Sequence, residues 1–105
     1  MRRAAAVDAN QAAIVGALRA YGASVQPLHS VGQGCPDLLV AHRGVNYLIE
    51  VKDGDKVPSA RQLTEPQKVW HSCWRGQVAI ANNRTEALEI IGAKTGTYRT
   101  VGGLK

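Results

Sequence analysis

Two short apolar runs constrain the middle of this chain. They are Gly34-Cys35-Pro36-Asp37-Leu38-Leu39-Val40 and Tyr47-Leu48-Ile49-Glu50-Val51-Lys52. Both read as buried strands, and His42-Arg43-Gly44-Val45 between them reads as a turn. With the turn centred on Arg43-Gly44, His42 faces Val45, and counting outward sets Asp37 opposite Glu50. Residues paired in this way hold their Cβ atoms roughly 4.5–5.5 Å apart. Lys52 lies two residues past Glu50 and shares its face. Side-by-side carboxylates repel each other and destabilise a sheet. A divalent cation between them removes that cost, and a hard ion such as Mg²⁺ takes one or two carboxylates plus substrate phosphates. The Lys52 ammonium is then placed to meet a phosphate or an attacking water. The competing reading is an ordinary hairpin ending in solvated charges, with Lys52 pairing weakly with Asp53 or Asp55.

The rest of the chain supplies helices around this hairpin. Asp8-Ala9-Asn10-Gln11 reads as a capping box opening a helix that ends near Tyr21 at Gly22. Its apolar face is Ile14, Leu18 and Tyr21, and Gln11 points roughly the same way. Residues 23–28 read as a first strand, and a Gly-rich loop from His29 to Gly34 leads into the hairpin. Residues 53–63 are polar and read as a mobile surface loop. Thr64-Glu65-Pro66-Gln67 is a second capping box, with Pro in the first helical turn. That helix runs to about Arg75, and Trp70, Cys73 and Trp74 form an apolar stripe that reads as core. A strand over 77–81 and a short helix over 85–91 complete the order α-β-β-β-α-β-α.

At 105 residues and 45% hydrophobic content, one modest globular domain is expected. No apolar run approaches a membrane span, and no apolar segment follows the basic amino terminus, so a cytoplasmic location is expected. The net charge of +5 suits an anionic polymer. Its Lys and Arg residues are scattered, so only folding could gather them into a patch. Cys35 and Cys73 lack zinc-site spacing and read as small buried hydrophobes.

Pro36-Asp37 followed by Glu50-Val51-Lys52 resembles the PD-(D/E)xK nuclease superfamily, in particular its small stand-alone VRR-NUC type from phage and bacterial genomes. The likeness runs from about Asp8 to Gly92. It implies an α/β, restriction-endonuclease-like fold with an α-β-β-β-α-β core and a mixed central sheet flanked by helices. Residues 1–92 would form the single nuclease domain, and 93–105 a tail, either flexible or adding an edge strand through 97–101. It further implies a metal-dependent DNA endonuclease using Mg²⁺ or Mn²⁺, acting as a homodimer on branched DNA such as four-way (Holliday) junctions. Alternatives are a nickase or exonuclease on flaps or ends, or a non-catalytic DNA-binding module; the intact Asp37, Glu50 and Lys52 argue against the module.

The resemblance assigns Asp37, Glu50 and the Val51 carbonyl to the metal, and Lys52 to the scissile phosphate or the attacking water. Related nucleases often draw another acidic residue from the first helix. Here Asp8 reads as a cap, and Gln11 is a neutral residue that could orient a metal-bound water. Gln67 matches a glutamine common in the family and is equally well explained as a cap; the two roles are compatible. Ser30, Gln33 and Gly34 offer donors to phosphate, while Lys56 and Arg61 are candidate DNA contacts. His29, His42 and His71 read as surface residues.

Overall fold

The structure, a computed structural model, describes residues 5–93. The proposed 97–101 edge strand and the tail lie outside the described residues. Helix α1 (Ala5–Ala20) is followed by strands β1 (Ser24–Pro27), β2 (Leu38–His42) and β3 (Val45–Val51). Helix α2 (Glu65–Cys73), strand β4 (Ala79–Ala81) and helix α3 (Arg84–Ile90) complete the order expected from the sequence. The four strands form one mixed sheet in the order β1-β2-β3-β4, antiparallel except for the parallel β3–β4 pair.

The β2–β3 register follows from the turn. His42 pairs with Val45 and Leu38 with Ile49, so the next positions outward are Asp37 and Glu50. Arg43 (φ 53°) and Gly44 (φ 79°) both take positive φ, as a tight two-residue hairpin turn requires. Period-two alternation then sorts the residues. Leu38, Val40, Ile49, Val51 and Ala81 pack with Ile14 and Leu18 of α1 and with Ala87 of α3 into the core. Glu50, between Ile49 and Val51, lies on the opposite face, over which α2 lies.

Several local expectations are corrected. Helix α1 spans Ala5–Ala20, so Asp8 is inside it and is not its N-cap; Ala5 and Ala6 before it are strong helix formers. Residues 58–61 form a 3₁₀ turn within the polar 53–63 loop. Asn83 caps α3, its side chain accepting from the Glu86 N–H at 2.8 Å. Cys73 is exposed and Cys35 half-buried, so neither is a core residue. Tyr21 is 43% exposed, leaving Ile14 and Leu18 as the buried stripe of α1. No helix among the described residues is long and apolar enough to cross a membrane.

The Gly-rich loop braces α2. Gly34 has φ +82°, and a Cβ there would collide with the Pro66 carbonyl at the start of α2. Gly32 has φ +73° but open space around it. Gly34→Ala should therefore lower the melting temperature by about 5–15 °C, from a left-handed penalty of roughly 1–2 kcal/mol, plus the collision. Gly32→Ala should show the backbone part alone. Equal shifts in the two variants would contradict the close approach.

Candidate active site

Asp37, Glu50 and Lys52 come together where β2 and β3 end, and α2 closes over them. Asp37 is held at both ends. Its carbonyl accepts the Leu28 N–H at 2.8 Å, and its Oδ2 accepts the Val51 N–H at 2.8 Å. Within an extended strand the N–H and C=O of one residue point to the same edge. The Val51 carbonyl therefore faces the edge that Asp37 occupies. On the other edge, the Lys52 N–H donates to the Ala81 carbonyl of β4 at 3.0 Å. The Lys52 carbonyl accepts Asn10 Nδ2 of α1 at 2.7 Å.

Gln67 ties the cluster together. Thr64 and Gln67 form the expected capping box, the Thr64 N–H donating to Gln67 Oε1 at 2.9 Å. The same Oε1 accepts the Lys52 ammonium at 2.8 Å, and Gln67 Nε2 donates to Glu50 Oε2 at 3.0 Å. One side chain thus caps α2 and bonds both Lys52 and Glu50. Its amide orients the ammonium and the carboxyl through opposite ends. Lys52 makes this bond in place of the pairing with Asp53 or Asp55 that the competing reading required.

Glu50 is the only fully buried charged side chain among the described residues, 1% exposed. Burial, then a hydrogen bond shared with Asp37 and the Asp37 charge, push its pKa up to about 9, against a downward pull from Lys52. Glu50 therefore holds its proton at neutral pH when no cation lies beside it. Burial, with help from Glu50 and Asp37, also raises the Cys35 thiol, which makes it a poor nucleophile.

A divalent cation fits this arrangement. Glu50 Oε1 is buried and has no hydrogen-bond partner among the described residues. A cation would replace the Glu50 proton and engage that oxygen. Among the described residues no three His, Cys, Asp or Glu side chains converge as a ready-made cage. Two carboxylates with ligands left to water and phosphate match the demands of a hard ion.

The other candidate residues stand apart. Gln11 is half-buried, with no side-chain hydrogen bond among the described residues; its neighbour Asn10, which the sequence did not flag, reaches the Lys52 carbonyl instead. Ser30, Gln33 and Lys56 are exposed, and Arg61 is half-buried with its Nε unpartnered among the described residues. None of these four bonds to the carboxylates.

The sequence also placed two parts of α2 wrongly. His71 is no surface residue: its side chain is 15% exposed and its Nε2 lies 3.9 Å from Glu50 Oε1. The available signal was its spacing, four residues past Gln67 and so on the same helix face. Trp70 and Trp74, expected in the core, stack on each other at 4.5 Å. Trp74 is 46% exposed, and the pair lines an open groove of about 580 Å³ with Gln33, Pro66, Val69 and Cys73.

No family model matches the chain, and no curated protein does. Among solved structures, one described as a VRR_NUC domain matches with a TM-score of 0.59 and 27% identity, over 80% of this chain and 91% of that one. The fold is restriction-endonuclease-like, of the VRR_NUC type. In this VRR_NUC-like fold the two carboxylates and the lysine sit at the open end of the hairpin, one side braced by α1 and the other capped by α2.

Proposed function

We propose that this chain is a metal-dependent deoxyribonuclease that hydrolyses phosphodiester bonds. The observation that carries the reading is the Asp37–Glu50–Lys52 cluster, held by Gln67 in a VRR_NUC-like fold. Asp37, Glu50 and the Val51 carbonyl would hold Mg²⁺ or Mn²⁺. Bound there, the ion supplies a Lewis acid and a water of lowered pKa. The Lys52 ammonium, fixed by Gln67, offers positive charge to the oxygens of the scissile phosphate as negative charge builds on them. Gln67 keeps that ammonium aimed and occupies Glu50 Oε2, leaving Oε1 free. Asp37 is kept in place through its bond from the Val51 amide, so its other oxygen is available. A DNA-binding module without catalysis gives no reason to bury a carboxyl whose pKa has risen to about 9.

The finer reading is a homodimer that prefers branched DNA. One domain of this size offers little surface to recognise a branch, and a symmetric pair brings two sites and a wider basic surface. Cleavage should be tested on duplex, single-stranded, flap and four-way-junction DNA, alongside light scattering and binding at rising salt. The expected outcome is a dimer that favours the junction, with affinity falling steeply as salt rises because phosphate counterions are released on binding. A monomer that cuts linear and junction DNA equally would overturn the branch preference and leave the nuclease reading standing.

A further inference from the structure

Among the described residues, three buried side-chain nitrogen or oxygen atoms lack a hydrogen-bond partner: Glu50 Oε1, His71 Nε2 and Arg61 Nε. The first two face each other at 3.9 Å, too far for a hydrogen bond. Leaving a buried polar atom unsatisfied is costly, and two such atoms side by side call for something between them. A buried carboxyl oxygen and an imidazole nitrogen facing each other are a mixed oxygen–nitrogen donor pair of the kind a divalent cation takes.

We propose that His71, through Nε2, is a ligand of the divalent cation held by Glu50, and that this nitrogen biases the site towards Mn²⁺ over Mg²⁺. The proposal rests on the metal-dependent reading above. Carboxylate and water oxygens suit both ions, whereas Mg²⁺ strongly favours oxygen and imidazole suits the later first-row metals. Two features of α2 support it. The helix starts at a capping box whose Gln67 is already bonded to Glu50, which fixes the rotation of the helix about its axis. His71, one turn on, is thereby carried to the same carboxyl. Trp70 packs edge-on against the His71 ring, with centroids 6.1 Å apart, and limits its swing.

The test is pulsed electron paramagnetic resonance of the native protein loaded with Mn²⁺, together with Mn²⁺ and Mg²⁺ titrations of the native protein and of His71→Ala. The expected result is a nitrogen-14 coupling from imidazole on the Mn²⁺ signal, absent in His71→Ala. Mn²⁺ affinity should also fall by about 10–100-fold in that variant, as when a group supporting a metal is removed, with Mg²⁺ affinity changing much less. Mn²⁺ bound without nitrogen coupling would overturn the proposal and leave the carboxylate site intact; a water bridging the two atoms gives that result. No Mn²⁺ binding by the native protein would overturn this proposal and the metal-dependent reading together. The spectrum of the native protein decides the ligand even if His71→Ala does not fold.

Discussion

Glu50→Gln should leave the metal-free protein at least as stable as the native chain while abolishing DNA cleavage. Glu50 is 1% exposed with a pKa pushed up to about 9, so without metal it holds a proton at neutral pH. Gln has the shape and neutrality of that protonated acid. The pH dependence separates the two chains. A carboxyl whose folded pKa lies above its ordinary value of 4.5 contributes stability that is complete below 4.5 and lost as pH rises towards 9. In chelator, the native melting temperature should fall across that window, and Glu50→Gln should remove most of the fall. Added Mg²⁺ or Mn²⁺ should raise the native melting temperature, most at the alkaline end where metal no longer competes with the proton, and should leave the variant unmoved. Cleavage should drop by roughly a thousandfold or more, a barrier of about 4 kcal/mol, in line with the several kcal/mol a metal contributes. A variant that cuts DNA at the native rate would refute the role given to Glu50.

Lys52→Ala should also lose cleavage, by about 10²–10³-fold, the range for removing one positioned donor to a developing anion. It differs from Glu50→Gln in keeping its metal, because an ammonium cannot be a ligand. Loss of the 2.8 Å bond to Gln67 frees one acceptor of that amide, but Gln67 Nε2 remains on Glu50 and the Thr64 N–H remains on Oε1. The fold should therefore survive. Metal titration and single-turnover cleavage, measured together, check this: metal binding intact with chemistry lost is the expected pair. Loss of metal binding as well would mean that Lys52 shapes the carboxylates instead of acting on the phosphate.

The hairpin was legible in the sequence because two rules act on it at once. Period-two alternation fixes the faces of β2 and β3, and Arg43-Gly44 fixes the turn. A one-residue slip would have moved Leu38, Val40, Ile49 and Val51 out of the core. The capping box at Thr64 was legible for the same reason, being a local pattern with a local consequence. The orientation of α2 was not. Its apolar stripe suggested that Trp70, Cys73 and Trp74 face inward, yet α2 has no buried residue and turns Gln67 and His71 towards the sheet. Hydrophobic periodicity identifies a helix, but a buried carboxyl needs polar partners. Leaving Glu50 without them costs more than exposing part of an indole. A second device was hidden because it imitates backbone. Gln77 accepts the Leu48 N–H at 2.6 Å and donates to the Leu48 carbonyl at 3.1 Å, acting as one more strand residue where short β4 has not begun. Asn10 was passed over because its partner, a main-chain carbonyl 42 residues away, leaves no mark on the local pattern.

The most direct measurement of the central claim is cleavage of labelled DNA by metal-stripped protein, before and after Mg²⁺ or Mn²⁺ is restored, with Glu50→Gln in parallel. The expected result is phosphodiester hydrolysis by the native chain only when metal is present, and none by the variant under either condition. Cleavage that persists in chelator, or that the variant matches with metal present, would contradict a metal-dependent site built on Asp37, Glu50 and Lys52.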